Sequence, residues 1–294
     1  MPPDLRSRLG EAIFRVAAGP DGPRHRERIH GRPGPRWFDP ASPIGRVHGD
    51  ASMFIGGLRA LLLQTLHPAA MTAVAEHSDF RTDMLGRLAR TSRFLAVTTF
   101  GHADDAQAAV DAVRTIHARV TGTMPDGTPY AASDPHLLRW VHVVEVDSFL
   151  LAHQVYGKRP LDAAGRDEYV AQSAEVGRRL GVLDPPTTEA GLAEALAAYR
   201  PELHATDHAR EAIRHVALRP PIARAARPAY AVLVAAAVGL MPRWSRRPLG
   251  LPWLPATERT VVRALGTAAT GTLRWALRPG RELAGTLVEG PTAG

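Results

Sequence analysis

"SDPHLLRWVHVVEVDSFLLAHQVYG", residues 133–157, decides the fold class. Asp134 followed by Pro135 reads as a helix start: a carboxylate able to accept from the free amides of the first turn, then a residue whose fixed φ suits the first helical position. The helix beyond Pro135 is apolar on nearly every side, with Leu138, Val141, Val144 and Phe149 expected inside. A helix with so few polar faces belongs at the centre of a helical domain. Outward from it, "SMFIGGLRALLLQTLHP" (52–68) and "AAMTAVAEHS" (69–78) read as one helix bent at Pro68, because proline lacks a donor and crowds the carbonyl of Gln64. "DMLGRLARTSRFLAVTTFG" (83–101) is a helix stopped at Gly101. In "DDAQAAVDAVRTIHARVTG" (104–122), Asp104 and Gln107 are placed as a capping box and Gly122 as the stop. Helical spacing recurs over 162–180, 187–199, 205–217, 228–241 and 257–277, and no stretch alternates as a strand would. The expectation is an all-α chain with a single helical domain. Residues 1–50 form an N-terminal helix and an irregular, proline- and glycine-rich arm, 51–250 the main helical domain, and 251–294 a helical extension.

The chain has 294 residues, 45% of them hydrophobic, enough for one large core or two modest ones. Cysteine is absent, which excludes disulfides, thiolate metal sites and a cysteine nucleophile. The net charge of +7 is carried by arginine, weighted toward residues 200–281. No zinc-finger spacing, RNA-binding aromatic motif or lysine-rich run accompanies it, so a nucleic-acid partner is not expected. Genome-wide composition accounts for such arginines, and docking on an anionic membrane surface is the other account. The most apolar run, "AYAVLVAAAVGLM" (229–241), is far shorter than the roughly 20 residues of a membrane span and reads as a buried or interfacial helix. "MPPDLRSRLGEAIFRV" lacks the uninterrupted apolar stretch of a signal peptide, so a cytoplasmic location, peripheral to the membrane at most, is expected.

Chemistry-bearing side chains cluster in the middle helices. Val110, Val113, His117 and Val120 step by three, four and three, which puts His117 on a buried stripe. There it is either a core histidine bonded to a carbonyl or carboxylate, or an axial ligand to haem iron. Arg87, Arg90 and Thr91 share one helix face bordered by Leu85, Leu88, Phe94 and Leu95. That face is either solvated, or it buries two cations that need anions, a need that haem propionates or an oxygen-derived ligand on iron would meet. His142 and Glu145, at i and i+3, could ligate a metal. A di-iron bundle would want two such pairs plus two further glutamates, so a buried hydrogen-bonded pair is the better reading. His67, just before Pro68, is a further ligand candidate. The glycine-containing runs lack the setting of a phosphate loop, and no nucleophile elbow is present.

The runs 59–101, 112–122 and 130–150 resemble the family that includes the fungal MpaB oxygenase and the bacterial latex-clearing protein, a rubber oxygenase. The resemblance covers about residues 45–250, is closer to the MpaB-like branch, and is carried by His67-Pro68-Ala69, the His77-Ser78-x-Phe80 step, the pentad from Arg87 to Thr91, and "IHARV" (116–120). It implies a globin-like helical core holding haem b, and oxidative cleavage of a carbon–carbon double bond in an isoprenoid chain with dioxygen. Carried over by position, His117 is implied as the proximal iron ligand, and Arg87, Arg90 and Thr91 as the catalytic haem-pocket triad, with Arg87 and Thr91 lining the cofactor. From the residues themselves, His142 is the alternative iron ligand and His67 a further cofactor-lining candidate. The rubber enzyme has lysine where this chain has Arg90, and arginine is bulkier and does not deprotonate, so a gating or sixth-ligand role is not carried over. Its acidic base has no aligned counterpart, although Glu76 is nearby in sequence. The expected function is therefore haem-dependent oxygenation of a small unsaturated apolar molecule, isoprenoid or lipid-like. The alternatives are a non-catalytic haem- or lipid-binding helical protein at the membrane surface, and a carboxylate-bridged non-haem iron enzyme resting on His142 and Glu145.

Overall fold

The computed structural model describes residues 5–78, 81 and 83–277. In chain order the first helices are α1 (Leu5–Ala18), α2 (Gly22–Gly31), α3 (Pro43–His48), α4 (Met53–Gln64), α5 (Pro68–His77), α6 (Met84–Phe100) and α7 (Ala103–His117). A hairpin of β1 (Thr121–Thr123) and β2 (Pro129–Ala131) comes next, then α8 (Pro135–Tyr156), α9 (Ala163–Leu180), α10 (Glu189–Ala198) and α11 (Asp207–Ile213). The chain continues through α12 (Arg227–Gly239) and the short α13 (Arg243–Arg246) and α14 (Pro255–Thr257) to α15 (Arg263–Leu277). The domain is all-α, as expected, with that hairpin as its one sheet among the described residues.

The central helix is the one its sequence marks. Asp134 accepts from the amide of His136 at 2.8 Å, Pro135 opens α8, and Trp140, Val143, Val144 and Ala152 are fully enclosed. α4 lies against it so closely that a Cβ added to Gly56 would stand 3.1 Å from the Phe149 Cα and 3.1 Å from the Ser148 carbonyl oxygen. Arg59 crosses this contact almost fully buried. It donates to Ser148 Oγ at 2.6 Å and to the Leu240 carbonyl at 3.0 Å, and it stands 2.7 Å from Asp147, close as an ion pair though not aligned as a hydrogen bond. Its cation is thus compensated from two sides, as a buried charge requires. On the other flank of α8, Ile44 and Val47 of α3 and Tyr169 and Val170 of α9 complete a second apolar cluster with Val143, Val146, Phe149 and Leu150. α12 packs on α4 with Val234, Ala236, Ala237 and Val238 buried, which makes the most apolar run a core helix. Among the described residues no helix is long and apolar enough to cross a membrane.

Several boundaries differ from the sequence reading. The chain breaks at Pro68 instead of bending: His67 is extended (φ −86°, ψ 114°) and caps α5, because the residue before a proline is pushed out of the α region. α7 stops at His117, so Val120 is not on its stripe and Gly122 pairs with Tyr130 in the hairpin. The signal for that hairpin was Asp126-Gly127, a turn dipeptide in which Gly127 takes φ +88°. The cap of α7 is His102, whose Nδ1 accepts from the Asp104 amide at 3.2 Å, while Gln107 reaches Asp111 and Arg179 instead of turning back. The arm expected to be irregular contains α2 and α3, and the helices expected at 205–217 and 257–277 are interrupted by π turns at Arg214–Leu218 and Glu258–Val262.

Candidate functional site

α6 and α7 pack side by side, and α6 is unusual for a helix of its apolar content: only Thr98 and Thr99 are buried, while Leu85, Leu88, Phe94 and Leu95 are half-buried. Its first turn is fixed by Asp83, which accepts from the Gly86 amide at 3.0 Å. The same carboxylate holds Arg90 at 3.0 Å in the open, and Thr91 beside it is exposed as well. Arg87 is turned the other way. It is half-buried, donates to Ser78 Oγ at 2.6 Å, and has its pKa lowered, chiefly by burial and next by Arg90. One cation is therefore turned inward, not two, and its hydrogen-bond partner is the Ser78 hydroxyl. Burial raises the carboxyl of Glu145 on α8 to about 7, with Arg87 as the charge that favours its ionised form.

One turn earlier on α8, His142 presses on Gly177 of α9, where an added Cβ would stand 2.9 Å from the imidazole Cε1. Its Nε2 is buried with no partner, and burial, reinforced by Arg139 and Arg178, pushes its pKa down to about 4. No hydrogen bond joins His142 to Glu145 among the described residues, which corrects the reading of the two as a bonded pair. His117 closes α7. It is half-buried, burial lowers its pKa, and its Nδ1 is buried without the carbonyl or carboxylate partner that a purely structural histidine would have. Glu76 is exposed at the end of α5 and accepts from the Tyr130 hydroxyl, to which the His77 Nε2 also lies at 3.1 Å.

His67 is placed differently from the other candidates. It stands with His136 at the start of α8 and with Glu202 in the 3-10 turn Arg200–Glu202 that comes after α10. His136 and Glu202 were not singled out from sequence, and no spacing pattern links three residues so far apart. Nor was His48, whose ring joins Thr99 Oγ1 at 2.8 Å to the Tyr169 hydroxyl at 3.3 Å inside the fold, and which burial pushes down to about 3.

The chemistry available from these side chains is thus acid–base or metal-ligating: neutral imidazoles with uncommitted nitrogens, one carboxyl poised near neutrality, one half-buried guanidinium and a half-buried apolar helix face. Residues 45–271 match the model of one known family, described as "ER-bound oxygenase mpaB/B'/Rubber oxygenase, catalytic domain". The chain belongs to this family. No curated protein and no solved structure matches it. Membership in the mpaB/rubber oxygenase family makes the matched region an oxygenase catalytic domain, and so an oxidoreductase. That region begins inside α3 and ends inside α15, so it takes in α6, α7 and α8 and all the candidate residues above. The donor set fits a haem: a neutral imidazole with a partnerless ring nitrogen, apolar side chains left half-open on the adjacent helix, and an inward guanidinium.

Proposed function

We propose that this member of the mpaB/rubber oxygenase family is a haem b-dependent oxygenase that uses dioxygen to cleave or oxygenate an unsaturated, isoprenoid or lipid-like molecule. The observation that carries the reading is His117, a neutral, partly buried imidazole with an unsatisfied nitrogen at the end of α7, the helix that packs beside α6. Haem, when bound, supplies the iron redox chemistry that makes dioxygen reactive toward a double bond. His117 offers the iron a neutral ring nitrogen, with His142 as the second candidate. Arg87, held by Ser78, directs a cation inward from α6, and Leu85, Leu88, Phe94 and Leu95 offer apolar surface to a substrate without polar handles. Glu145 is the group able to take or release a proton at its carboxyl near neutral pH, which makes it a better base than the exposed Glu76. Arg90 and Thr91 are assigned to the outer rim of the same helix.

The reading is tested by the absorption spectrum of the protein as purified and after haem reconstitution, then by turnover of an unsaturated lipid with dioxygen uptake. A Soret band is expected, and His117→Ala should remove or greatly reduce it. A full, unshifted band in that variant would transfer the ligand role to His142. Absence of any haem binding by the wild-type chain would end the haem reading altogether.

A further inference from the structure

His67, His136 and Glu202 come from three separate parts of the chain and converge on one point. One donor atom from each lies within 4.8 Å of the other two. His136 Nε2 is 2.7 Å from Glu202 Oε2, and His67 Nε2 is 3.6 Å from the same oxygen. His67 is 7% exposed and neither of its ring nitrogens has a hydrogen-bond partner. Buried imidazole nitrogens are normally satisfied, so a partnerless pair with one nitrogen aimed at a carboxylate and a second imidazole calls for a missing ligand. The ring is held in place, at 6.1 Å from Trp140 and 6.4 Å from Tyr199. Tyr199 also supports the second ligand: its hydroxyl donates to the His136 carbonyl at 2.9 Å and lies 3.5 Å from His136 Nδ1, the position from which an outer group orients a metal-bound imidazole.

We propose that these three side chains bind one divalent transition cation of the zinc class, which gives His67 the role of a metal ligand instead of the cofactor-lining role expected from sequence. Metal–ligand bonds of about 2.0–2.2 Å place tetrahedral donors about 3.3 Å apart, so the cation would open the His136–Glu202 contact slightly and draw the other ligands in. Two imidazoles and one carboxylate suit zinc and its neighbours, whereas calcium and magnesium prefer an all-oxygen shell. His136 and Glu202 are exposed, which leaves the remaining coordination positions to water. The site joins the break before α5, the start of α8 and the turn after α10. Beside it, the His204 amide already donates to the Leu66 carbonyl at 2.9 Å. His136 lies six residues before His142 on α8, about 9 Å along the axis, so the site does not share ligands with the haem assignment.

The test uses the full chain stripped with a chelator, titrated with Zn2+ by calorimetry and with Co2+ by its visible absorption. The expected result is one equivalent bound, with His136→Ala and Glu202→Gln each weakening Zn2+ binding by about tenfold or more while helical circular dichroism is preserved. Both variants alter exposed side chains, which avoids the folding defect that removing the buried His67 would risk. The proposal is overturned if the wild-type chain takes up no Zn2+, or if the two variants bind it as tightly as wild type. Haem content of the same samples is read separately at the Soret band, so loss of this site and loss of the His117 assignment give different signatures.

Discussion

Arg87 and Glu145 show how one residue pair sets the electrostatics of the candidate site. A carboxyl held near 7 instead of 4.5 opposes folding once ionised, by an amount on the order of 3 kcal/mol. Because the folded-state value is raised, its contribution to stability is complete below about 4.5 and is lost as pH rises through about 7. Glu145→Gln should therefore remove a decline in unfolding free energy between pH 5 and 8 that the wild-type chain shows, as read from urea denaturation at the two pH values. An unchanged pH slope would mean that the carboxyl is solvated. The flanking leucines made partial burial of this face legible in the sequence, but not the Glu145 carboxyl, which arrives from another helix by tertiary packing. It also could not show that Arg90 turns outward, since that depends on Asp83 serving both as cap and as counter-ion. His117 and His142 were legible by helix spacing. His136 and Glu202, 66 residues apart, were not.

The elements were read more fully than the site, because a helix is encoded locally and a pocket is not. α8, α6 and α9 fall within a residue or two of their sequence signals, with Asp134 and Gly101 at the expected ends. The hairpin was missed because three-residue strands are too short to show alternation. Which glycine permits the α4–α8 approach was also hidden, since Gly56 and Gly57 are neighbours of equal composition. Geometry separates them. A Cβ at Gly56 meets the backbone of Ser148 and Phe149 at 3.1 Å, whereas one at Gly57 meets only the Phe149 ring at 3.8 Å, an ordinary contact. Gly56→Ala should thus destabilise the protein by about 1–3 kcal/mol through a forced shift of α8. Gly57→Ala should be neutral or stabilising by up to about 1 kcal/mol from helix propensity. Denaturation midpoints of the two variants check this, and equal effects would show that the helices are not in direct backbone contact.

At the scale of the molecule, the last described helix is tied back to the start of the core. Arg274 of α15 donates to both carboxylate oxygens of Asp50, at 2.8 and 2.9 Å, in a largely buried pair. Its hydrogen bonds bring the Asp50 pKa down to about 2 in spite of burial. Arg274→Ala should cost about 3 kcal/mol, read from the denaturation midpoint, because it leaves an uncompensated carboxylate. The arginine excess, ambiguous as composition, acquires a location. A groove of about 1510 Å3 is lined by Arg214, Arg243, Arg247, Trp244 and Trp253 among others. Arg246 is not part of the free charge, being buried against Glu258. Arg214, Arg243 and Arg247 have no acidic partner among the described residues, while Leu218 and Leu254 stand exposed nearby in the chain at 74% and 55%. Guanidinium groups without acidic partners, with the exposed Leu218 and Trp253 lining the same groove, have the chemistry that an anionic lipid surface attracts, each cation contributing about 1 kcal/mol. The chain should therefore cosediment with vesicles containing phosphatidylserine at low salt, and much less with neutral vesicles. Arg214→Gln, Arg243→Gln and Arg247→Gln combined should weaken that binding by about a hundredfold, with haem content unaffected. Raising salt to physiological strength should weaken the wild-type interaction in the same direction. Binding that ignores both salt and the triple variant would show that these arginines reflect composition alone.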